Sequence, residues 1–482
     1  MSTILLNDTA IDASAAPAHQ SLLDFVRSTA RLTGTKEGCA SGDCGACTLI
    51  LRNKDGTQPI NVNSCITPVG AAIDKQVITV EGVGTPRQMH PVQQAMVDQH
   101  GSQCGFCTPG FVMSLVAAQL QDGEAPKDRE AAITSVSGNL CRCTGYRPIV
   151  DAALSAKTAS IESPLLAGLK GSAIPKPVAA QNTSYARHTT LADVLARINI
   201  DGAQRSLHAE ETAAHWILAG ATDAFLEVSQ HYLDPNAIID LCEVEELKGI
   251  ARDPDGSLTI GAATTHAEAL TYFSQPNSAC TAISDVLKRF GSPQIRNRGT
   301  LGGNIANASP IADWPPLLIA LSASVTLVSA DGEQRSVPLD EFYLGYKSTQ
   351  LAPHELIRSV HIPATADLSA LRAHKISKRF EDDISSALGA VYLQLQNGVV
   401  NACRIAYGGV GPIPLRCKSA ENALLGKKLS EQLIDIAVSA LSADIAPISD
   451  VRASDNYRRE VSKAVLREAL VDSLQSGTAA RS

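Results

Sequence analysis

Eight of the twelve cysteines in this 482-residue chain fall into two close foursomes before residue 150, and that spacing forces short, sharply turned loops around whatever the thiols hold. The first set is Cys39, Cys44, Cys47 and Cys65, a C-x4-C-x2-C run with a distant fourth member. A [2Fe–2S] rhomb takes two thiolates on each iron, and this is one of its known ligand spacings. Three donors can come from one short loop only if the backbone bends tightly, and Gly38, Gly42 and Gly45 permit the bend. Zinc is the rival, but structural zinc sites favour paired C-x2-4-C knuckles rather than three cysteines crowded on one glycine-rich loop.

The second set is Cys104 and Cys107 in Q-C-G-F-C-T-P-G, then Cys141 and Cys143 in C-R-C-T-G-Y. Each pair stands just before a helical pattern. Thr108 is expected to cap a helix that has Pro109 at its first position and carries Phe111, Val112, Leu115 and Val116 at helical spacing. Thr144 and Pro148 precede Ile149, Val150 and an Ala-rich stretch. Thiolates at helix N-termini gain from the dipole and from free N–H donors. On its own this pattern also admits zinc or a redox dithiol; its place directly after the first loop makes a second iron–sulfur cluster the stronger reading.

Composition narrows the class. At 482 residues the chain has room for about three or four domains. A formal charge of −8 and the lack of a basic stripe argue against nucleic acid. Arg458, Arg459, Lys463 and Arg467 share a helical spacing and are read as a solvated face. No run nears roughly 18 apolar residues, and the first residues lack a signal-peptide pattern, so the expectation is a cytoplasmic protein without a membrane partner. Cys242, Cys280, Cys403 and Cys417 are scattered and are read as idle thiols.

Strands are expected at Ile4 to Asn7, Thr48 to Arg52 and Gln76 to Val80, with a helix capped at Ser21. Helical patterns dominate from Pro91 to about Ser160, and a Pro-, Ala- and Ser-rich linker follows. Further on, Ile217 to Ala224 and Gly299 to Pro310 are glycine-rich loops, each able to cradle a pyrophosphate on backbone N–H groups. Neither is G-x-G-x-x-G after a strand, so a Rossmann fold is rejected. Taken alone, such stretches are more often ordinary turns. His354-Glu355 starts an H-E-x-x-H pattern that Arg358 breaks, and there is neither a Walker loop nor a G-x-S-x-G elbow.

The tandem cysteine motifs, a plant-type ferredoxin spacing followed by Q-C-G-F-C-T-P-G and C-R-C-T-G-Y, resemble those of the molybdenum hydroxylases, the xanthine dehydrogenase and aldehyde oxidase group. The resemblance implies an α+β multidomain chain: a β-grasp [2Fe–2S] ferredoxin domain over 1–84, a helical [2Fe–2S] domain over 85–160, a linker over 161–185, a vanillyl-alcohol-oxidase-type FAD domain over 186–365 and a small α+β C-terminal flavoprotein domain over 370–475. It assigns FAD contacts to Ile217, Ala219, Gly220, Ala221, Thr222, Asp223 and Ala224, and to Thr300, Gly303, Asn304, Asn307 and Asp313. Phe290 would cover the flavin, Lys375 would reach it and Ile357 would pack nearby; without the resemblance, Phe290 and Ile357 read as core. Asp382 and Asp383 fall where the family has a loop beside the flavin, although adjacent carboxylates are usually a solvated turn. Gln103 matches a glutamine that contacts the pterin.

The order of cluster, cluster and flavin most resembles the small iron–sulfur/FAD subunit of bacterial xanthine dehydrogenases. That implies electron transfer from molybdenum on a large partner subunit, through both clusters to FAD and then NAD, in oxidation of hypoxanthine and xanthine to urate. An (αβ)2 heterotetramer is expected, with the purine bound by the partner and no residue of this chain catalysing the hydroxylation. A hydroxylase for another heterocycle or an aldehyde is the near alternative. A free-standing ferredoxin–flavin reductase is the more distant one.

Overall fold

A computed structural model describes residues 2–53, 58–156, 184–201 and 216–479. Contacts divide the chain into two units. The first comprises Met1–His188, His208–Leu241 and Gly291–Gly299; the second comprises Thr189–Leu207, Cys242–Phe290 and Thr300–Ser482.

The first unit begins with a five-stranded sheet in the order β2-β1-β5-β3-β4, built from β1 (Thr3–Leu6), β2 (Thr9–Asp12), β3 (Thr48–Arg52), β4 (Ile60–Asn63) and β5 (Gln76–Ile78). β1 and β5 run parallel and the other pairs antiparallel, a mixed β-grasp arrangement. Strand β3 is apolar on both faces because both are covered. Leu49 and Leu51 enter a core with Leu22, Phe25 and Val26, while Ile50 points the other way into a core with Phe111, Met113 and Val116. The helix Leu22–Asp24 starts where Ser21 Oγ accepts from the Asp24 N–H at 3.0 Å, and it widens into a π-turn over Phe25–Thr29.

Four helices follow, Pro91–Asp98, Thr108–Asp122, Arg129–Val136 and Arg147–Ser155. Thr108 does not cap the second of these. Cys107 occupies the cap position, Thr108 is the first helical residue, and its hydroxyl bonds Ser102 at 2.8 Å. The linker expected over 161–185 lies outside the described residues up to 183, and Tyr185 is already in β6 (Tyr185–Arg187). This strand, β7 (Trp216–Leu218) and β8 (Ile238–Asp240) form a parallel sheet in the order β6-β8-β7. Arg187 ties that sheet down, pairing with Asp74 at 2.9 Å and donating to the Ile73 carbonyl at 2.8 Å.

The second unit holds an antiparallel sheet in the order β12-β11-β15-β10-β9, from β9 (Ile250–Arg252), β10 (Leu258–Gly261), β11 (Ser324–Ser329), β12 (Gln334–Pro338) and β15 (Glu355–Ile362), with β13 (Tyr343–Gly345) and β14 (Ser348–Thr349) as a hairpin. Its core gathers Phe273, Leu301, Trp314, Phe342 and Val360. A second antiparallel sheet follows the order β16-β17-β18-β19, from β16 (Leu371–Ile376), β17 (Ala387–Gln396), β18 (Val399–Gly408) and β19 (Leu415–Arg416). Tyr407, Val465 and Leu466 pack this sheet against the helix Asp455–Ala479.

The basic stripe on that helix is not a uniformly solvated face. Arg458 is buried, donates to the Gly409 carbonyl at 2.9 Å and forks onto both carboxylate oxygens of Asp450 at 2.8 Å; helical spacing cannot reveal a partner on another element. Among the described residues no helix is long and apolar enough to cross a membrane.

Candidate iron–sulfur and flavin sites

The first cysteine loop is held in a conformation that aims N–H groups at sulfur. Ala40, Gly42 and Gly45 have φ of 52°, 81° and 64°, and the resulting curl lets Cys39 Sγ accept from the Ser41 and Cys44 N–H groups, each at 3.4 Å. Side chains then clamp the loop to the strand that delivers Cys65. Asn63 Nδ2 donates to the Gly42 carbonyl at 2.6 Å, and Ser64 Oγ donates to the Cys47 carbonyl at 2.6 Å. Cys47 and Cys65 are buried with their sulfurs 3.3 Å apart, and Cys39 is in hydrogen-bonding contact with both Cys44 and Cys65. Those thiols push Cys39 far down, whereas the proton Cys44 shares with Cys39 pushes Cys44 up. Four such thiols cannot all ionise together without bound cations.

The second set also converges. Cys107 meets Cys141, and Cys104 meets Cys143. Burial, followed by the Cys141 contact, pushes Cys107 up to about 12. Cys141 Sγ takes the Thr144 N–H at 3.5 Å and lies 3.2 Å from its hydroxyl, while the Tyr146 hydroxyl accepts from the Cys141 N–H at 3.0 Å. Cys104 and Cys143 are exposed, and Gln103 beside them is exposed too. Among the described residues no three His, Cys, Asp or Glu side chains converge as a single ion would require. The contacts instead run from Cys44 through Cys39 and Cys65 to Cys47 in the first set and pair Cys107 with Cys141 and Cys104 with Cys143 in the second, and the N–H donors aimed at their sulfurs fit a binuclear iron–sulfur group.

One backbone hydrogen bond joins the two sets. The Leu140 N–H, adjacent to Cys141, donates to the Cys44 carbonyl at 2.9 Å.

The first glycine-rich loop leaves β7 at Ala219 and turns through Gly220 (φ 81°) and Ala221 (φ 65°). A Cβ on Gly220 would stand 2.0 Å from the Arg298 carbonyl, so the chain can pass there only as glycine. Ala221 and Phe225 share a buried core with Cys47 and Cys65, placing this loop directly behind the first cysteine set. Ile217, Thr222 and Ala224 are half-buried and Asp223 is exposed.

The second unit carries the other candidate flavin residues. Thr300 Oγ1 accepts from the Gly303 N–H at 3.1 Å, starting the helix Leu301–Ala306. Asn304 Oδ1 on that helix is buried with no hydrogen-bond partner among the described residues, the kind of atom a polar cofactor would satisfy. Asn307 accepts from Lys347 Nζ at 2.5 Å. Asp313 and Lys375 are brought together in a buried ion pair of 2.7 Å, which Ser385 Oγ completes by donating to Asp313 at 2.5 Å. Lys375 Nζ lies 6.0 Å from the Phe290 ring, and that ring packs edge-on against His266 at 4.4 Å. Ile357 is a buried β15 side chain in the central core.

The acidic loop is ordered by its own backbone, with Asp383 accepting from the Arg379 and Ile384 N–H groups at 2.8 and 3.0 Å. Arg289, absent from the sequence expectations, holds the loop by donating to the Phe380 and Lys375 carbonyls at 2.9 and 2.7 Å, its guanidinium 4.8 Å from the Phe380 ring. Burial draws its pKa down from the ordinary arginine value. Lys347, Ser385 and His266 were likewise unsignalled, since no motif spacing links them to their partners.

Comparison with known proteins agrees with this inventory. Family models match residues 79–154 (a [2Fe-2S] binding domain), 190–365 (the FAD binding domain in molybdopterin dehydrogenase) and 372–473 (the CO dehydrogenase flavoprotein C-terminal domain). Xanthine dehydrogenase 2 of Arabidopsis thaliana is 31% identical over 498 residues, covering 89% of this chain and 36% of the relative. The xanthine dehydrogenase of Emericella nidulans is 32% identical over 498 residues, covering 88% and 35%. The chain thus spans little more than a third of the length of these relatives. Among solved structures, a carbon monoxide dehydrogenase chain from Hydrogenophaga pseudoflava has a TM-score of 0.53 and 28% identity over 60% of this chain and 95% of that one. Quinoline 2-oxidoreductase from Pseudomonas putida 86 has a TM-score of 0.53 and 28% identity over 61% and 97%. Domains for [2Fe–2S] clusters and FAD on one chain define an oxidoreductase built for electron transfer. The chain belongs to the molybdenum hydroxylase family.

Proposed function

We propose that this chain is the electron-transfer subunit of a xanthine dehydrogenase, carrying electrons from molybdenum on a large partner subunit to NAD⁺ as hypoxanthine and xanthine become urate. Cys39, Cys44, Cys47 and Cys65 hold one [2Fe–2S] cluster; Cys104, Cys107, Cys141 and Cys143 hold the other. FAD takes its contacts from Ala219 to Asp223, Thr300, Gly303, Asn304, Asn307, Asp313 and Lys375, under Phe290. When bound, the clusters carry electrons singly and the flavin converts them to hydride transfer. This chain's own residues space the carriers, donate N–H groups to sulfur and, around Cys47 and Cys65, exclude water. The expected setting is a cytoplasmic (αβ)2 assembly.

The observation that carries the reading is the Leu140 N–H to Cys44 carbonyl bond, with Cys47 and Cys65 sharing a core with Ala221 on the other side. It supports the order Cys104 set, Cys39 set, flavin loop, with Cys104 and Cys143 the exposed thiols at one end and Cys47 and Cys65 buried toward the other. A second reading, hydroxylation of another heterocycle, is favoured by the match to quinoline 2-oxidoreductase. An anaerobic titration of the chain copurified with its molybdenum subunit separates the two. Bleaching of the flavin and iron–sulfur absorbance by xanthine, reversed by NAD⁺, supports xanthine dehydrogenase. Bleaching by dithionite but not by xanthine moves the substrate to another heterocycle or aldehyde.

A further inference from the structure

Gln294 belongs by sequence to the flavin region, yet its side chain is buried within the first unit, between the two cysteine sets. Its Nε2 donates to Thr48 Oγ1 at 3.1 Å and to Ser114 Oγ at 3.2 Å, with Asn139 Oδ1 at 3.4 Å. Each partner stands close to a cluster thiol in the chain. Thr48 follows Cys47, Ser114 lies on the helix that begins after Cys107, and Asn139 precedes Leu140 and Cys141.

These partners act on one atom. The Gly45 carbonyl, directly after Cys44 in the turn that leads to Cys47, accepts from Thr48 Oγ1 at 2.6 Å and from Asn139 Nδ2 at 2.9 Å. Ser114 Oγ donates to Asn139 Oδ1 at 2.6 Å and so fixes that amide. Gln294 therefore orients the hydroxyl and the amide that pin the turn of the first cysteine loop. Two independent close approaches show how tightly the node is built: a Cβ on Gly45 would lie 2.1 Å from the Gly138 carbonyl, and one on Gly138 would lie 2.1 Å from Gln294 Oε1.

Anchoring the segment does not explain Gln294. Asn297 Nδ2 already ties it to Asn61, at 2.7 Å to Oδ1 and 3.0 Å to the carbonyl, and Ser292 Oγ caps its short turn by accepting from the Ile295 N–H at 3.2 Å. Gln294 Oε1 is moreover buried without a partner among the described residues, a cost that stability alone would not favour.

We infer that Gln294 is a positioning residue for electron transfer. It holds Gly45 and Asn139 so that the N–H groups on Cys39 and the Leu140 to Cys44 bond keep their geometry. The inference rests on the reading that the eight cysteines hold two clusters. N–H donors stabilise the charge a cluster gains on reduction, so loosening the loop makes the cluster harder to reduce.

The test uses the full chain with its cofactors, comparing wild type, Gln294→Met and the control Asn297→Ala by iron content and by redox titration followed by electron paramagnetic resonance. Gln294→Met should retain its iron while the potential of the Cys39-set cluster moves negative and its signal changes shape; Asn297→Ala should match wild type. Equal potentials and line shapes in Gln294→Met and wild type overturn the inference, as does an equal shift in Asn297→Ala, which would mark simple packing. If Gln294→Met does not fold, Thr48→Val removes the same acceptor at nearly constant volume and is judged by the same criteria. A wild-type chain without any iron–sulfur signal removes the cluster reading and this inference with it, whereas iron-loaded wild type with an unshifted Gln294→Met removes this inference alone.

Discussion

Replacing Lys375 with methionine should be among the most damaging single changes in the second unit. The Lys375 and Asp313 side chains are only 2% and 6% exposed, and their 2.7 Å pair is supplemented by Ser385 on the carboxylate and the Arg289 carbonyl on the ammonium. Methionine keeps the volume and removes the charge, leaving Asp313 with one hydroxyl donor and no directly paired cation, only the more distant field of Arg289. Breaking a buried pair from one side costs about 3–5 kcal/mol, because the remaining charge is left desolvated. At 1.4 kcal/mol per decade, that raises local opening by roughly a hundredfold to a few thousandfold. Amide hydrogen exchange on β16 and β17 reads it directly, since Lys375 pairs with Leu388 across those strands. Lys375→Met with Asp313→Asn should recover most of the loss, because both charges then leave together and the substituted amide can still accept from Ser385. A single-variant cost below about 1 kcal/mol would place the pair with weak surface bridges and refute the reasoning.

Cys44→Ser and Cys107→Ser should each lose half the iron and one of two distinct paramagnetic signals, as metal analysis and resonance spectra would show; loss of all the iron from either variant contradicts two separate sites. Asn304→Ala should leave flavin-free stability unchanged or slightly improved, since a buried unsatisfied acceptor is removed, but should weaken FAD binding by about 1–3 kcal/mol, measured by flavin fluorescence. Equal FAD affinity in the two proteins would detach Asn304 from the cofactor. His90 caps the helix Pro91–Asp98 through Nδ1, which accepts from the Val92 N–H at 3.2 Å, and burial pulls its pKa from 6.5 to about 4. The unfolded chain therefore takes up the proton first as pH falls. Stability is whole above about 6.5 and declines toward 4, by about 3 kcal/mol at most. His90→Asn, a competent cap without that titration, should flatten the decline in melts between pH 7 and 5, and an unchanged slope would count against the assignment.

Short-range features were legible in the sequence and long-range polar ones were not. The gathering of each cysteine foursome could be read because most of its members lie within a few residues of one another. Strand β3 could be read because Leu49, Ile50 and Leu51 are apolar in succession. The helix start at Thr108 was set one residue off because Cys107 takes the cap position without any side-chain hydrogen bond. Asp313 and Lys375 were each singled out, but nothing local marks two residues 62 apart as one ion pair. Nothing local marks Gln294 either. A glutamine in a polar loop looks solvated until the fold brings Thr48, Ser114 and Asn139 around it.

The discontinuity of the first unit also sets a timetable for its maturation. Cys65 leaves the ribosome about 230 residues before Gln294, and Trp216, Leu218 and Phe225, which share a core with Cys47 and Cys65, also come well after it. At ordinary elongation rates that interval lasts roughly 10–50 s. During it the first thiol set is complete in sequence but lacks its later wall. On the reading that the Cys39 set holds a cluster, iron would reach these thiols through an open side during synthesis, and folding of the segment around Gln294 would close it.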